Sequence, residues 1–288
     1  MKELIKLVDE KLDEYLQIEY PEDIFKSMKY TLMLPGKRLR PVMCLETVRM
    51  LGGDIEVALP TACAIEMLHV QSLIHDDLPC MDNDDFRRGK PSNHKVFGEA
   101  NAVLAGDALL NYAFETAAKA FSMYPTKALE IGKALQVLAG KAGIYGMIGG
   151  QVVDVESAGN AVSKEVLDFI YELKTSALIE SSMMIGAILA GADEQAIKDI
   201  ETIAKNVGIA FQIQDDILDV TSTAEVLGKP ILSDEKNEKT TYVTLVGLEK
   251  AKEYVEKISL EAIELLHRFE AKDLFLEELL KSLIHREK

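Results

Sequence analysis

Cysteine is scarce in this sequence, which contains only Cys44, Cys63 and Cys80 among its 288 residues. An odd number of cysteines without close pairing argues against a disulfide framework, and their spacing does not match that of a zinc site. We therefore expect them to pack in the interior of a protein that occupies a reducing compartment.

Basic charge is also in short supply. The chain has 32 lysines and arginines against 48 aspartates and glutamates, which gives a formal net charge of −16 at pH 7. Because binding a polyanion requires basic surface, we expect no nucleic-acid partner. An anionic ligand would need bound cations or locally clustered lysines and arginines.

The start of the chain shows no secretory signal. The most apolar segment, 175–191, contains Glu180 and falls short of the roughly 20 residues that a span needs. We expect a buried core helix there, no transmembrane segment, and a cytoplasmic protein. The first sixteen residues predict an amphipathic helix, with one apolar side made of Leu4, Leu7, Val8, Leu12 and Leu16.

Alternating apolar and polar runs, the pattern of half-buried strands, are nearly absent. Apolar residues instead recur at helical spacing through long segments, and no polar stretch is long enough to be an interdomain linker. We predict an all-α protein, with residues 1–288 forming a single helical bundle of roughly ten helices. The clearest helical segments are 99–121, 127–150, 164–191, 194–220 and 249–268.

One acidic cluster, FQIQDDILD at 211–219, lies in an otherwise apolar helix. Asp215 and Asp219 are four residues apart, so they share a helix face and can reach one ion together. Carboxylates among apolar residues cost free energy unless they meet a cation or water. The alternative is an acidic stripe that faces solvent.

A second acidic cluster occurs in HDDLPCMDNDDFRRGK, residues 75–90. Asp76 and Asp82 are six residues apart, which leaves them about 120° apart on a regular helix. A local bulge at Pro79 could bring them back to one site, whereas an ordinary acidic cap is the alternative. Two oxygen-only clusters indicate a hard cation such as magnesium.

Basic residues cluster beside these aspartates, at Lys37, Arg38 and Arg40 and again at Arg87 and Arg88. The planar guanidinium group suits phosphate oxygens. Surface ion pairs with the aspartates are the alternative, and they would contribute little to stability.

Together these motifs resemble the trans-polyprenyl diphosphate synthase family, whose order they follow from about residue 35 to 243. The resemblance implies the isoprenoid synthase fold around a central hydrophobic cavity, a homodimer, and three magnesium ions in each active site. The matching stretches are GKRLRP, the 75–110 segment, GGQVVD, KTSALIE, FQIQDDILD and GKPILSDEKNEKTTY.

The resemblance also implies roles for individual residues. The magnesium ligands would be Asp76, Asp82 and Asp215, with Asp77, Asp216 and Asp219 as supporting or water-mediated ligands. The allylic diphosphate would contact Arg87, Lys174 and Lys229, with Lys239 as an addition. Isopentenyl diphosphate would contact Gly36, Lys37, Arg40, His69 and Arg88. Thr175 and Gln212, beside Lys174, would place oxygen dipoles near a carbocation. For His75 we expect a structural role.

The implied reaction joins isopentenyl diphosphate to an allylic diphosphate by ionisation, condensation and elimination. Product length would depend on the helix before Asp76. Along the helix axis, Gln71 lies about 7.5 Å and Ser72 about 6 Å from Asp76, and Leu68 lies deeper. Bacterial farnesyl diphosphate synthases usually have an aromatic residue where this chain has Gln71. Farnesyl diphosphate is the expected product and geranylgeranyl diphosphate the alternative; a terpene cyclase and a non-catalytic subunit are further alternatives.

Overall fold

The computed structural model describes residues 1–221, 240–269 and 275–284, and most of them lie in helices. The first helices are α1 (Lys2–Tyr15), α2 (Glu22–Leu32), α3 (Leu39–Met50), α4 (Ile55–Asp76), α5 (Asn93–Phe97), α6 (Glu99–Met123) and α7 (Ala128–Ala142). They are followed by α8 (Met147–Glu156), α9 (Lys164–Ile170), α10 (Ala177–Leu189), α11 (Glu194–Thr221), α12 (Tyr242–Val246), α13 (Leu248–Leu266) and α14 (Phe275–Ile284). The all-α prediction is confirmed.

The chain divides into two compact units. The first contains Met1–Gln136 and Ile188–Gly191, and the second contains Val137–Ala187 and the described part of Ala192–Lys288.

Helix α4 is the core of the first unit. It is apolar on all sides and almost wholly buried, which is the pattern of a helix surrounded by other helices. Its first turn is capped by Asp54, whose carboxylate accepts a hydrogen bond from the backbone N–H of Glu56 at 3.0 Å. Among the described residues α4 is the one helix long and apolar enough to span a membrane, and 83% of that stretch is buried inside the protein.

The amphipathic helix expected at the start of the chain is present as α1. Leu4, Val8, Leu12 and Leu16 are almost completely buried, and Leu7 is partly buried. The expected interior position of the cysteines holds for Cys44 and Cys63, whereas Cys80 is exposed. Burial raises the pKa of the Cys44 thiol to about 12.

A small hairpin interrupts the helices of the first unit. Strand β1 (Phe86–Arg87) pairs with the antiparallel strand β2 (Lys90–Pro91). The two residues between the strands, Arg88 and Gly89, have φ angles of 51° and 75°. Positive φ at both positions is typical of the tight turn that joins twisted strands, and this turn fixes where Arg87 and Arg88 lie.

In the second unit, a turn of π-helix at Tyr171–Ser176 lies between α9 and α10. Helix α10 is buried along its whole length, as expected for the apolar segment 175–191. Its Glu180 contacts the ammonium group of Lys141, which also lies 2.8 Å from Glu201. Burial raises the pKa of the Glu180 carboxyl, and Lys141 opposes that shift. The ion pair explains how a carboxylate is tolerated in this helix.

Candidate active site

The chain turns back on itself directly after α4 and so brings Asp76 and Asp82 together. The backbone N–H of Asp82 donates to the carbonyl oxygen of Asp76 at 2.9 Å. Pro79 lies in this turn and has no N–H with which to continue the helix. The backbones of the two aspartates therefore approach each other at the end of the helix, through a turn at Pro79, where we had considered a local bulge. Asp82 is exposed and Asp76 is partly buried.

Asp77, between them, is buried and contacts Arg87. The Nε of Arg87 donates to the Asp77 carboxylate at 2.9 Å, and its guanidinium also lies 3.3 Å from Asp84. Burial raises the pKa of the Asp77 carboxyl, while the hydrogen bond from Arg87 opposes the shift. Asp77 therefore anchors Arg87 on the hairpin.

Arg40, His69 and Arg88 form a basic cluster in the first unit, close enough together for their charges to interact. Burial lowers the pKa of His69 well below its ordinary value, and the charges of Arg40 and Arg88 lower it further. Burial also lowers the pKa of both arginines. The Nε of Arg40 is buried without a hydrogen-bond partner among the described residues. Glu66 lies 4.0 Å from the Arg88 guanidinium and offsets part of this charge. An anion bound here would accept the free hydrogen bond of Arg40 and offset more of it.

The loop before α3 contributes the other residues expected beside this basic cluster. A Cβ atom on Gly36 would lie 2.6 Å from Nη1 of Arg88, so a side chain at position 36 would displace the guanidinium. Lys37 is exposed. Its neighbour Arg38 is instead a structural residue, because it is buried and ion-paired with Glu66 and Asp9, both at 2.8 Å.

The residues expected to control product length lie near the end of α4. Leu68 is completely buried and Gln71 is 7% exposed. Ser72 is partly buried, and its hydroxyl donates to the carbonyl oxygen of His69 at 2.8 Å.

In the second unit, the π-helical turn carries Lys174 and Thr175. Such turns are rare and are frequently found at functional sites, because they present side chains that a regular helix would not. Gly150 in α8 packs directly against the turn: a Cβ atom there would lie 2.3 Å from the backbone nitrogen of Lys174. The same helix supplies Asp154, which accepts a hydrogen bond from the Lys174 ammonium group at 2.5 Å.

Thr175 and Gln212 are in direct contact. The Thr175 hydroxyl donates to Oε1 of Gln212 at 3.0 Å, rather than bonding to its own helix backbone. Both residues line a cavity of about 140 Å³, together with Asp154, Lys174 and Asp216. The second unit thus brings together all three residues expected beside the carbocation.

The aspartates of α11 divide into two groups. Asp215 and Asp219 are one helical turn apart, as expected, with Asp215 partly buried and Asp219 3% exposed. Asp216 is also buried, and one of its oxygens accepts hydrogen bonds from the Tyr171 hydroxyl at 2.7 Å and the Tyr242 backbone N–H at 2.8 Å.

Tyr171 and Tyr242 were missed by sequence reasoning. Tyr171 begins the π-helical turn, and Tyr242 begins α12, where its ring stacks on Tyr254 at 5.5 Å. Through Asp216 they link three stretches of the second unit that are far apart in sequence. Lys229 and Lys239 lie outside the described residues.

Comparison with known proteins identifies the family. A profile described as Polyprenyl synthetase matches residues 21–282, which is nearly the whole chain. The chain belongs to the polyprenyl synthetase family. The resemblance seen in its motifs is thereby confirmed, and so is the isoprenoid synthase fold.

Relatives of this polyprenyl synthetase include plant and bacterial enzymes. The chain is 46% identical over 267 residues to geranylgeranyl pyrophosphate synthase 7, chloroplastic, of Arabidopsis thaliana, covering 92% of this chain and 76% of the relative. It is 45% identical over 254 residues to farnesyl diphosphate synthase of Geobacillus stearothermophilus, covering 88% of this chain and 85% of the relative. A geranyltransferase structure from Helicobacter pylori, complexed with magnesium and isoprenyl diphosphate, matches with a TM-score of 0.84 and 33% identity. The match covers 98% of this chain and 94% of that structure. The chain is therefore a short-chain prenyltransferase.

The acidic residues of this prenyltransferase fit magnesium by the type and number of their donor atoms. Within residues 1–221, 240–269 and 275–284, no three histidine, cysteine or acidic side chains come close enough to hold a metal by themselves. Magnesium is typically bound through one or two carboxylates together with waters and substrate phosphates. The sparse pairs Asp76 with Asp82 and Asp215 with Asp219 match that mode better than a closed protein cage.

Proposed function

We propose that the chain condenses isopentenyl diphosphate with dimethylallyl or geranyl diphosphate and releases farnesyl diphosphate as its main product. The observation that carries the proposal is the Thr175–Gln212 hydrogen bond on the π-helical turn, with Lys174 beside it and the Asp215–Asp219 face on the same helix as Gln212. This arrangement combines a cation, oxygen dipoles and carboxylates, as ionisation of an allylic diphosphate requires.

Each diphosphate has its own set of residues in this proposal. Isopentenyl diphosphate binds at the basic cluster of Arg40, His69 and Arg88, where Arg40 has an unsatisfied donor. Gly36 and Lys37 contribute to the same site. By resemblance to the family, the allylic diphosphate would contact Arg87 and Lys174, and also Lys229 and Lys239 beyond the described residues. Asp76, Asp82, Asp215 and Asp219 would hold the three magnesium ions that the family resemblance implies.

The protein's part in catalysis is to stabilise charge and to exclude water. Arg87 and Lys174 stabilise the negative charge that builds on the departing diphosphate, and bound magnesium supplies the remaining positive charge. The Thr175 hydroxyl donates its hydrogen bond to Gln212. The lone pairs of the Thr175 oxygen therefore remain available to the allylic cation. Isopentenyl diphosphate attacks that cation and then loses a proton to the released diphosphate. Apolar walls prevent water from quenching the cation.

Geranylgeranyl diphosphate is the second candidate product. The observation in its favour is Gln71, which replaces the aromatic residue expected in a farnesyl diphosphate synthase. The Gln71 side chain is buried, as a residue that limits chain growth must be. Leu68, a turn deeper in α4, then provides the floor.

We also propose a homodimer in the cytoplasm. In the first unit, α6 exposes apolar side chains, with Val103 41% and Leu104 56% accessible. Burying such residues against a second copy would be favourable. Light scattering after gel filtration measures this directly, and a monomer at micromolar concentration would contradict it.

The decisive experiment incubates the protein and magnesium with isopentenyl diphosphate and each allylic diphosphate in turn, and then sizes the products. A dominant fifteen-carbon product supports the first candidate, and a dominant twenty-carbon product supports the second. Cyclic hydrocarbon from farnesyl diphosphate alone would indicate a terpene cyclase, and an inactive wild type would indicate a subunit that needs a partner.

Variants of the aspartate pairs complete this experiment. We expect Asp76→Ala and Asp215→Ala to abolish condensation. Asp199→Ala is the matched control, because Asp199 lies in the same helix as Asp215 and accepts a hydrogen bond from Gln195 near the surface.

A further inference from the structure

The imidazole of His75 is held at both nitrogens, by two different helices of the first unit. Its Nδ1 lies 3.1 Å from Nε2 of Gln71, one turn earlier in α4. Its Nε2 lies 3.1 Å from the backbone carbonyl oxygen of Val103 in α6. The carboxylate of Asp107 is 3.9 Å from Nε2, which is beyond hydrogen-bond distance.

These contacts determine the orientation of the Gln71 amide. A backbone carbonyl can only accept, so Nε2 of His75 must carry the proton that bonds to Val103. In the neutral imidazole Nδ1 is then an acceptor, so Gln71 must point its NH₂ group at it. The carbonyl oxygen of Gln71 consequently faces away from His75, and it is buried without a hydrogen-bond partner among the described residues.

Gly106 in α6 provides the space that the His75 ring occupies. A Cβ atom at position 106 would lie 2.0 Å from Nε2 and 2.3 Å from Cδ2 of His75. Any side chain there would push the ring away from Val103 and Gln71. The sequence therefore combines a histidine, a glycine and a glutamine whose positions depend on one another.

We infer that His75 is a positioning residue that holds the Gln71 amide in a single orientation and thereby helps to set product length. The inference rests on the proposed function, in which Gln71 forms part of the wall that limits chain growth. Without His75 the buried NH₂ group of Gln71 has no acceptor, so the side chain leaves its position. The wall then recedes, and longer chains form.

The closing experiment compares product distributions of four single variants. His75→Leu removes both hydrogen bonds, and Gly106→Ala displaces the ring. We expect each variant to raise the ratio of longer to shorter product by roughly two- to tenfold, which corresponds to the net free energy of one lost hydrogen bond. His75→Asn keeps an acceptor near the Nδ1 position, so it should restore a distribution close to that of the wild type. His267→Leu changes an exposed histidine bound to Glu277 and is the matched control, with no expected effect.

A double-mutant cycle separates positioning from a general structural effect. In a Gln71→Met background there is no amide to orient, so His75→Leu should no longer change the product ratio. An unchanged ratio in active His75→Leu, or an equal effect of that change with and without the amide, would overturn the inference while leaving the proposed reaction intact.

A spectroscopic measurement tests the contact without any turnover. The side-chain ¹⁵N resonances of His75 should report the Nε2–H tautomer, and the Nδ1 shift should move when Gln71 is replaced by methionine. An Nδ1–H tautomer, or an Nδ1 chemical shift that does not change when Gln71 is replaced by methionine, would refute the contact even if the wild type proved inactive. Inactivity alone would count against the proposed function only.

Discussion

Replacing Gly150 by alanine would test the active-site geometry without altering any chemical group. The new Cβ atom would lie 2.3 Å from the backbone nitrogen of Lys174 and 2.8 Å from the carbonyl carbon of Leu173. Both are backbone atoms, so the strain cannot be relieved by rotating a side chain. Restoring ordinary van der Waals distances of at least 3.4 Å requires a movement of about 1 Å.

That displacement acts on Lys174 and Thr175 together, because both belong to the π-helical turn. A misplacement of about 1 Å at a reacting centre costs on the order of 100-fold in rate. Overpacking of this kind destabilises a protein by about 1–3 kcal/mol, so Gly150→Ala should still fold. We expect kcat to fall about 100-fold, with a modest decrease in Tm.

The assay is steady-state condensation with each substrate varied, accompanied by thermal unfolding. Gly132→Ala is the matched control: Gly132 also lies within a helix, α7, but a Cβ atom there would have no neighbour within 4 Å. That variant should retain full activity and gain about 0.5–1 kcal/mol of stability from helix propensity. If Gly150→Ala kept the kcat of the wild type, the argument that packing of α8 positions the π-helical turn would be wrong.

Further predictions concern three other residues. Asp216→Leu should lower the free energy of unfolding by about 2–4 kcal/mol, because it leaves the Tyr171 hydroxyl and the Tyr242 N–H without their acceptor. Asp216→Asn should lower it less, and denaturant unfolding measures both variants. Arg40→Lys should raise the KM for isopentenyl diphosphate about tenfold or more and leave the allylic KM unchanged, because lysine lacks the planar fork; an equal rise in both would contradict the assignment. His69 should make stability depend on pH: its pKa is lowered in the folded state, so the unfolded chain binds the proton first, and stability is lost as pH falls below about 6.5. His69→Gln should show a smaller loss of Tm between pH 7 and pH 5, and parallel curves would refute this.

Several features of the site followed from local sequence alone. The pairing of Asp215 with Asp219 depends only on the rise and twist of one helix, so a spacing of four residues was sufficient to predict it. The buried character of α10 followed from its composition in the same way. The approach of Asp76 and Asp82 was considered possible through a local bulge at Pro79, and the structure shows that α4 ends and the chain turns there.

Other features required contacts between residues far apart in the chain. No local pattern distinguishes Arg38, which is buried against Glu66, from Arg40, which retains an unsatisfied donor. The tight turn at Arg88 was also unexpected, since it needs positive φ at a residue that seldom adopts it. For Arg38 and Arg40, burial and pairing with a distant partner decide the role, and residue type does not.

The sequence by itself determined the fold class, the two aspartate pairs and the basic clusters, because helical periodicity and charge spacing are local properties. The tertiary structure alone decided which of these groups are structural and which can receive a ligand. Asp216 is satisfied by Tyr171 and Tyr242, and the amide of Gln71 is oriented by His75. The physical reason is that a buried polar group must find its partner wherever the fold places one, and that partner is seldom near in sequence.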